Sequence, residues 1–131
     1  MISRTLHRIL MIEDEPDIRT VAKLALEAIG GFQVDTCGSG AEALSLAPAL
    51  EVDLILLDVM MPGMDGLTVF HALREIARTK HTPVIFMTAK AQTQEVAQYQ
   101  AVGALDVIPK PFDPMTLAAT ISAIWQRHQS V

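Results

Sequence analysis

The sequence predicts a single α/β domain in which helices cover both faces of a parallel β-sheet. Short apolar runs alternate with longer amphipathic segments along the chain, and this alternation is typical of repeated β-α units. Residues 8–13 and 53–58 are almost continuously apolar, as expected for central strands that are buried on both faces. No linker, low-complexity stretch or internal repeat interrupts the pattern. One doubly wound domain therefore accounts for the sequence.

Five apolar runs are predicted to be strands. The second, "FQVDTC", alternates apolar and polar residues, which indicates an edge position. The fifth, "LDVIP", contains Pro109, which an edge strand tolerates better than a central one because proline donates no backbone hydrogen bond. In chain order the predicted strands are residues 8–13, 32–37, 53–58, 83–88 and 105–109.

Five amphipathic segments between and after these runs are predicted to be helices. The first, residues 15–29, begins near Pro16 and ends before a pair of glycines. The second, residues 39–49, is capped by Ser39 and ends near Pro48. The expected buried face of the first helix consists of Ile18, Val21, Ala22, Ala25 and Ile29.

The last three predicted helices differ in how firmly they should be anchored. Residues 65–77 start with Asp65 as the expected N-cap, and residues 113–128 start with Asp113 as the expected N-cap. The segment 91–103 contains few large apolar residues, so we expect it to be the least firmly anchored helix. The residues expected to be buried are Leu67, Phe70 and Leu73 in the third helix and Leu117, Ala118, Ile121, Ile124 and Trp125 in the fifth.

Length and composition exclude several classes of protein. The 131 residues, half of them hydrophobic, suit one domain spanning 1–131 with a core of about 7–128. The net charge of −5 argues against nucleic acid or an anionic membrane as a direct partner. Cys37 is the single cysteine, so there is no internal disulfide, and no apolar run approaches the roughly 20 residues of a membrane span. We therefore expect a cytoplasmic domain.

Polar residues stand where the predicted strands end. Glu13 and Asp14 close the first strand, Asp58 the third and Thr88 the fourth, and Lys110 follows the fifth. In a doubly wound sheet the ligand site lies outside the carboxyl ends of the strands, where the strand order reverses. We therefore expect these five side chains to meet at one edge of the sheet.

Such a cluster has a definite chemistry. Three carboxylates repel each other unless a cation neutralises them, and a hard oxygen site suits Mg²⁺. Lys110 offers a positive charge and Thr88 a hydroxyl, which are the groups that hold the oxygens of a phosphoryl group during transfer. Asp58 is then the predicted nucleophile, because a carboxylate can form an aspartyl phosphate.

The stretches "MIEDE", "LLDVMMPGMDG", "MTAK" and "IPKPF" together resemble the receiver domain of two-component response regulators. The resemblance covers nearly the whole chain and implies a flavodoxin-like sheet of order 2-1-3-4-5 with five helices. It also implies transfer of a phosphoryl group from a phosphohistidine to Asp58, with Thr88 and Lys110 assisting. The Mg²⁺ ligands would be Glu13, Asp14, Asp58 and the backbone carbonyl of Met60, and the peptide bond after Lys110 would be cis.

The resemblance further implies a signalling phosphoacceptor rather than an enzyme, with self-phosphorylation and self-dephosphorylation as its only chemistry. The expected donor is a sensor histidine kinase or a phosphotransfer protein. No DNA-binding helix pair or output domain is evident in the sequence, so the output is expected to run through another protein or a domain outside this chain. We expect a monomer or a weak dimer.

One position departs from the family pattern. Val107 stands on the fifth strand where most receivers carry an aromatic residue that moves on activation, and a β-branched side chain has little rotamer freedom. Two routes for the output remain open: a backbone shift of helix 91–103, or movement of the Tyr99 ring. Met60 and Lys90 are expected to border the phosphoryl pocket.

Three alternatives accompany this interpretation. A degenerate receiver would bind a partner without phosphorylation. A phosphatase of the haloacid-dehalogenase type would need an acid two residues after Asp58, where Met60 stands. A flavodoxin-like binding module would need a phosphate loop, whereas "EDEPD" repels phosphate unless a metal intervenes. The four histidines show no ligand spacing and are expected to be solvated side chains.

Overall fold

The computed structural model describes residues 5–129. Residues 1–4 and 130–131 of the expected domain lie outside the described residues. Five strands occur in this part of the chain, each within one residue of its predicted start and end. They are β1 (Arg8–Ile12), β2 (Gln33–Cys37), β3 (Leu54–Asp58), β4 (Val84–Thr88) and β5 (Asp106–Pro109).

Five α-helices alternate with the strands, as predicted. The second is shorter than expected, because residues 47–49 form a separate 3-10 helix around Pro48, whose ring disfavours a helix interior. The α-helices are α1 (Pro16–Ala28), α2 (Gly40–Leu46), α3 (Gly66–Arg74), α4 (Thr93–Val102) and α5 (Pro114–Gln129). Ser39, Asp65 and Asp113 accept backbone hydrogen bonds at the starts of α2, α3 and α5, as expected of caps.

The strands form one parallel sheet of order β2-β1-β3-β4-β5, which confirms the predicted topology and the edge positions of β2 and β5. The order reverses between β1 and β3, so the carboxyl ends of these two strands flank the switch point. Ile12 pairs with Leu57 in the register. The residues that follow them, Glu13 and Asp58, are therefore brought to the same level of the sheet.

The continuous apolar run of β3 follows from burial on both faces. Leu54 and Leu56 belong to the core between the sheet and helices α1 and α5. Ile55 and Leu57 belong to the core on the other face, beneath α2, α3 and α4. Because successive side chains point to opposite faces, no position along this strand is left for a polar residue before Asp58.

The buried face of α1 differs from the prediction. Ala22, Ala25 and Leu26 are buried, whereas Val21 is 42% exposed and Ile29 is 50% exposed. Leu26 packs in the core with residues of β1 and α5, so the helix is rotated toward this large side chain. The expectation that Val21 and Ile29 are buried is therefore wrong.

The other helices lie closer to expectation. In α3, Val69 is buried in addition to Phe70 and Leu73, and Leu67 is only half-buried. All five residues predicted for the face of α5 are buried. Helix α4 contains no buried residue, which confirms it as the least firmly anchored helix. Across residues 5–129, no helix has the length and apolar character that spanning a membrane requires.

Gly66 lets helix α3 begin directly against the end of β3. Its N–H donates to the carbonyl oxygen of Val59 at 2.8 Å. A Cβ atom at this position would lie 2.5 Å from the carbonyl oxygen of Asp58 and 2.6 Å from the Cα of Val59. Both atoms are backbone, so neither moves easily, and glycine is required for this close approach.

We expect Gly66→Ala to destabilise the protein by about 1–3 kcal/mol, because overpacking against backbone forces the strand end or the helix to shift. Gly38→Ala is the comparison and should cost less, since its Cβ would meet a side chain, that of Arg19, at 3.0 Å rather than backbone atoms. Urea denaturation measures both. Equal unfolding free energies for the two variants would contradict the assignment.

Candidate functional site

The structure brings together the five polar residues at the strand ends. Glu13, Asp58 and Thr88 are buried, and Asp14 and Lys110 are half-buried. The Lys110 Nζ atom lies 2.8 Å from Oε1 of Glu13 and 3.5 Å from Oδ2 of Asp58. Residues 97 positions apart in the chain are thus in direct contact.

Three carboxylates face one another at this edge of the sheet. One oxygen each from Glu13, Asp14 and Asp58 can be chosen so that all three lie within 4.8 Å of one another. Fully ionised, the three carboxylates carry three negative charges, and the ammonium of Lys110 compensates one of them. The remaining two charges are what one divalent cation would neutralise, and the hard oxygen donors fit Mg²⁺.

The surroundings of Asp58 disfavour its ionised form. Burial, followed by the charge of Glu13 and a hydrogen bond with it, raises the pKa of Asp58 to about 7. The raised pKa means that the folded, metal-free protein disfavours the ionised carboxylate. A cation bound among the carboxylates would favour ionisation and so make Asp58 nucleophilic near neutral pH.

Lys110 remains charged in this setting. Burial lowers the pKa of its ammonium, but the hydrogen bond and charge of Glu13, with a further contribution from Asp58, outweigh burial and raise it. Its backbone N–H donates to the carbonyl oxygen of Thr88 at 2.9 Å, which ties the end of β5 to β4. The peptide bond between Lys110 and Pro111 is cis, as the resemblance implies.

The loops after β3 and β4 complete the pocket. The backbone N–H of Met60 donates to Oδ1 of Asp58 at 3.1 Å, and the Met60 residue is 65% exposed. The backbone N–H of Lys90 donates to Oγ1 of Thr88 at 3.0 Å. Since that oxygen acts as an acceptor there, the hydroxyl proton of Thr88 can be donated to an incoming anion.

Two residues that contact the backbone of the site are not indicated by the sequence analysis. Gly66 fixes the backbone around Asp58, and Arg19 donates from Nη1 to the carbonyl oxygens of Glu13 and Asp14. The "DG" pair at the start of α3 is a recognisable signal for a tight helix start. A side chain bonded to backbone carbonyls leaves no comparable pattern in the sequence.

An aromatic chain links the core to α4. The rings of Phe86 and Tyr99 meet edge to face with centroids 5.2 Å apart, and those of Phe70 and Phe86 with centroids 5.3 Å apart. Val107 is buried and pairs with Phe86 in the register of β4 and β5. Tyr99 thus contacts the strand that ends in Thr88.

The remaining surface near the pocket is partly apolar. A groove of about 220 Å³ beside Lys110 is lined by Ile18, Val21, Phe112 and neighbouring residues. The four histidines are all exposed and lie in different parts of the fold, in keeping with their interpretation as solvated side chains. Cys37 is buried and its pKa is raised to about 11, chiefly by burial, so its thiol is not a nucleophile at neutral pH.

Comparison with known sequences places the chain among signalling regulators. The DNA-binding dual master transcriptional regulator RpaA of Synechocystis is 39% identical over 120 residues, which is 92% of this chain and 49% of RpaA. The transcriptional activator protein IrlR of Burkholderia pseudomallei is 40% identical over 123 residues, or 94% of this chain and 52% of IrlR. The chain spans about half the length of the curated relatives it matches.

Solved structures agree with this placement. The chemotaxis response regulator CheY4 of Vibrio cholerae superimposes with a TM-score of 0.82 and 32% identity, over 92% of this chain and 99% of CheY4. The receiver domain of sensor histidine kinase PA1611 from Pseudomonas aeruginosa was solved with magnesium in its active site cleft. It superimposes with a TM-score of 0.77 and 28% identity, over 94% of this chain and 97% of the PA1611 domain. The model of the response regulator receiver domain matches residues 9–122, and this chain therefore belongs to the response regulator receiver domain family.

Proposed function

We propose that this receiver domain accepts a phosphoryl group on Asp58 and thereby changes the surface that it presents to a partner. The observation that carries the proposal is the buried carboxylate of Asp58, which lies beside Lys110 and two further carboxylates at the switch point of the sheet. The proposed domain comprises the core of about 7–128 within the chain 1–131.

The proposed transfer needs a donor with a labile phosphorus bond. A carboxylate oxygen of Asp58 attacks the phosphorus of a phosphohistidine, the P–N bond breaks as the new P–O bond forms, and the departing imidazole keeps the electron pair. Lys110 and the hydroxyl of Thr88 stabilise the phosphoryl oxygens, because a positive charge and a hydroxyl donor lie where negative charge collects.

The proposed metal is Mg²⁺, held by Glu13, Asp14, Asp58 and the backbone carbonyl of Met60. Within residues 5–129, that carbonyl accepts no hydrogen bond from the backbone, which leaves it free to coordinate. When bound, Mg²⁺ would neutralise charge shared by the carboxylates and the phosphoryl oxygens.

The proposed donor is a sensor histidine kinase or a phosphotransfer protein. Such a protein must bring its phosphohistidine to Asp58 and so contacts the surface around the pocket. The groove beside Lys110, whose lining includes Val21 at 42% exposure, offers apolar area there. Downstream, we propose a protein partner or a further domain, and a cytoplasmic location that fits such a relay.

The proposed role is a stoichiometric phosphoacceptor, whose only reactions are gain and loss of its own phosphoryl group. The family match does not favour a phosphatase, a flavodoxin-like binding module or a degenerate receiver. Met60, two residues after Asp58, has no group to act as acid or base, and the metal and phosphoryl ligands that a degenerate receiver lacks are all present here.

The proposed output runs through helix α4. Phosphorylation adds about 1.5–2 negative charges and strong acceptor oxygens beside Thr88. Movement of Thr88 toward them would act on α4 through the loop that precedes it and through the contact of Phe86 with Tyr99. Because α4 has no buried residue, little packing opposes its displacement. In this proposal the aromatic ring that moves is that of Tyr99, because Val107 has no ring.

We expect the wild-type protein to gain one phosphoryl group when incubated with acetyl phosphate and Mg²⁺, and Asp58→Asn to gain none, because an amide oxygen is a poor nucleophile. Intact-mass spectrometry measures the gain, and the bond should be labile to hydroxylamine as an acyl phosphate. Asp65→Asn is the matched control, since asparagine also caps a helix and Asp65 is exposed. Labelling of Asp58→Asn to the wild-type level would refute the assignment.

We expect Lys110→Met to lower the unfolding free energy in metal-free buffer by on the order of 1–3 kcal/mol, because two buried carboxylates lose their counter-ion. Added Mg²⁺ should restore most of the loss. Denaturation with and without Mg²⁺ measures this, and Lys90→Met, which removes an exposed ammonium, is the control. A loss that Mg²⁺ leaves unchanged would show that the two cations do not share this site.

We expect the ring of Tyr99 to change environment when Asp58 is loaded with beryllofluoride and Mg²⁺. The chain contains one tyrosine, so a protein labelled with 3-fluorotyrosine gives one fluorine resonance to follow by NMR. Asp58→Asn treated in the same way should show no change. An unmoved resonance in loaded wild-type protein would exclude Tyr99 from the output route.

A further inference from the structure

We propose that Arg19 is a positioning residue that holds the turn carrying Glu13 and Asp14 in the geometry for Mg²⁺ binding. The inference rests on the proposed function, since it concerns the same pocket. Arg19 lies on α1, and its Nη1 atom donates to the carbonyl oxygen of Glu13 at 2.7 Å and to that of Asp14 at 3.0 Å. One nitrogen thus ties together two successive peptide units, both of which carry metal-binding carboxylates.

Backbone hydrogen bonds hold both ends of this turn, since the N–H of Glu13 donates to the carbonyl oxygen of Cys37 at 3.0 Å and the N–H of Arg19 donates to that of Glu15 at 3.1 Å. The turn connects β1, which ends at Ile12, to α1, which begins at Pro16. Glu15 occupies the N-cap position but makes no side-chain capping bond. Its backbone N–H donates to Oε2 of Glu13 at 3.2 Å, a contact within the turn itself. Arg19 therefore supplies the side-chain anchor that joins the turn to the helix.

The hydrogen-bond acceptors of Arg19 determine whether its guanidinium competes with Mg²⁺ for carboxylate oxygens. Arginine commonly forms paired hydrogen bonds with carboxylates, and such pairing here would occupy the ligands of the cation. The hydrogen bonds of Arg19 instead go to backbone carbonyls, so the guanidinium does not compete with Mg²⁺ for a carboxylate oxygen of Glu13 or Asp14. Lys110, by contrast, contacts Glu13 and Asp58 directly. One cation of the pocket orients the backbone and the other compensates charge.

The β2–α2 loop leaves room for the guanidinium. A Cβ atom on Gly38 would lie 3.0 Å from Nη1 and 3.4 Å from Cζ of Arg19. The glycines with positive φ in residues 5–129 are Gly31, Gly63 and Gly103, so Gly38 is not required by a left-handed backbone. The absence of a side chain at Gly38 instead leaves space for the guanidinium of Arg19.

The test is the Mg²⁺ affinity of the metal-free protein, measured by isothermal titration calorimetry at fixed pH and ionic strength. We expect Arg19→Ala to bind Mg²⁺ about 10–100-fold more weakly, the range typical when a residue that orients metal ligands is removed. Arg19→Lys should recover part of the affinity, since an ammonium can still donate to the carbonyls. Gly38→Ala should weaken binding by a smaller factor, because it displaces the guanidinium without removing it.

Arg74 provides a matched control at the other end of the sheet. Its Nη1 atom also donates to two carbonyl oxygens, those of Thr79 at 3.0 Å and Thr82 at 2.7 Å, in the loop before β4. Arg74→Ala should therefore lower stability in urea while its Mg²⁺ affinity stays at the wild-type value. This pair separates an effect on the metal site from a general loss of stability.

The outcomes are distinct. If Arg19→Ala is destabilised but binds Mg²⁺ as tightly as wild type, Arg19 is merely structural and the inference is overturned, while the proposed function stands. If Arg19→Ala and Arg74→Ala weaken Mg²⁺ binding equally, the effect is not positional and the inference again falls. Absence of Mg²⁺ binding by the wild-type protein would refute the proposed metal site and this inference together. Should Arg19→Ala fail to fold, Arg19→Lys and Gly38→Ala decide the matter.

Discussion

Repulsion among carboxylates at the carboxyl edge of the sheet is the constraint on which the site depends. The pKa of Asp58 stands at about 7 because burial and the nearby Glu13 disfavour its charge, and Lys110 compensates only part of the negative charge. The strand ends cannot move apart to relieve the repulsion, because β1 and β3 are buried on both faces by apolar side chains. The core thus holds the carboxylates in the arrangement that a divalent cation would favour.

The parts of the structure that were predictable have a direct physical signal in the sequence. Parallel strands covered on both faces must be continuously apolar, so β1, β3 and β4 stand out as runs, and the alternation of β2 identifies an edge. Helix caps at Ser39, Asp65 and Asp113 are local hydrogen bonds and leave a local pattern. In a parallel sheet the carboxyl ends of all strands lie at one edge. The order of strands and helices along the chain was therefore enough to predict which residues line the pocket.

The parts that were not predictable depend on contacts between distant segments. Helical spacing alone does not fix the rotation of α1 about its axis. Because Leu26 packs into the core, Val21 points toward solvent. The role of Gly66 depends on how closely α3 approaches the backbone of Asp58. Arg19 has backbone acceptors, and any residue type supplies those. Each of these features is set by tertiary packing rather than by residue type.

The shallow packing of α4 has a thermodynamic consequence for any partner. A helix without buried residues has little packing to oppose a displacement, so a partner that binds a displaced position more tightly would need only modest differential affinity to shift the population. Linkage is reciprocal: if phosphorylation favours a displaced α4, a protein that prefers this position would favour the phosphorylated state by the same factor. The fraction of the receiver that is phosphorylated at equilibrium with its donor would then depend on the concentration of the partner that reads it.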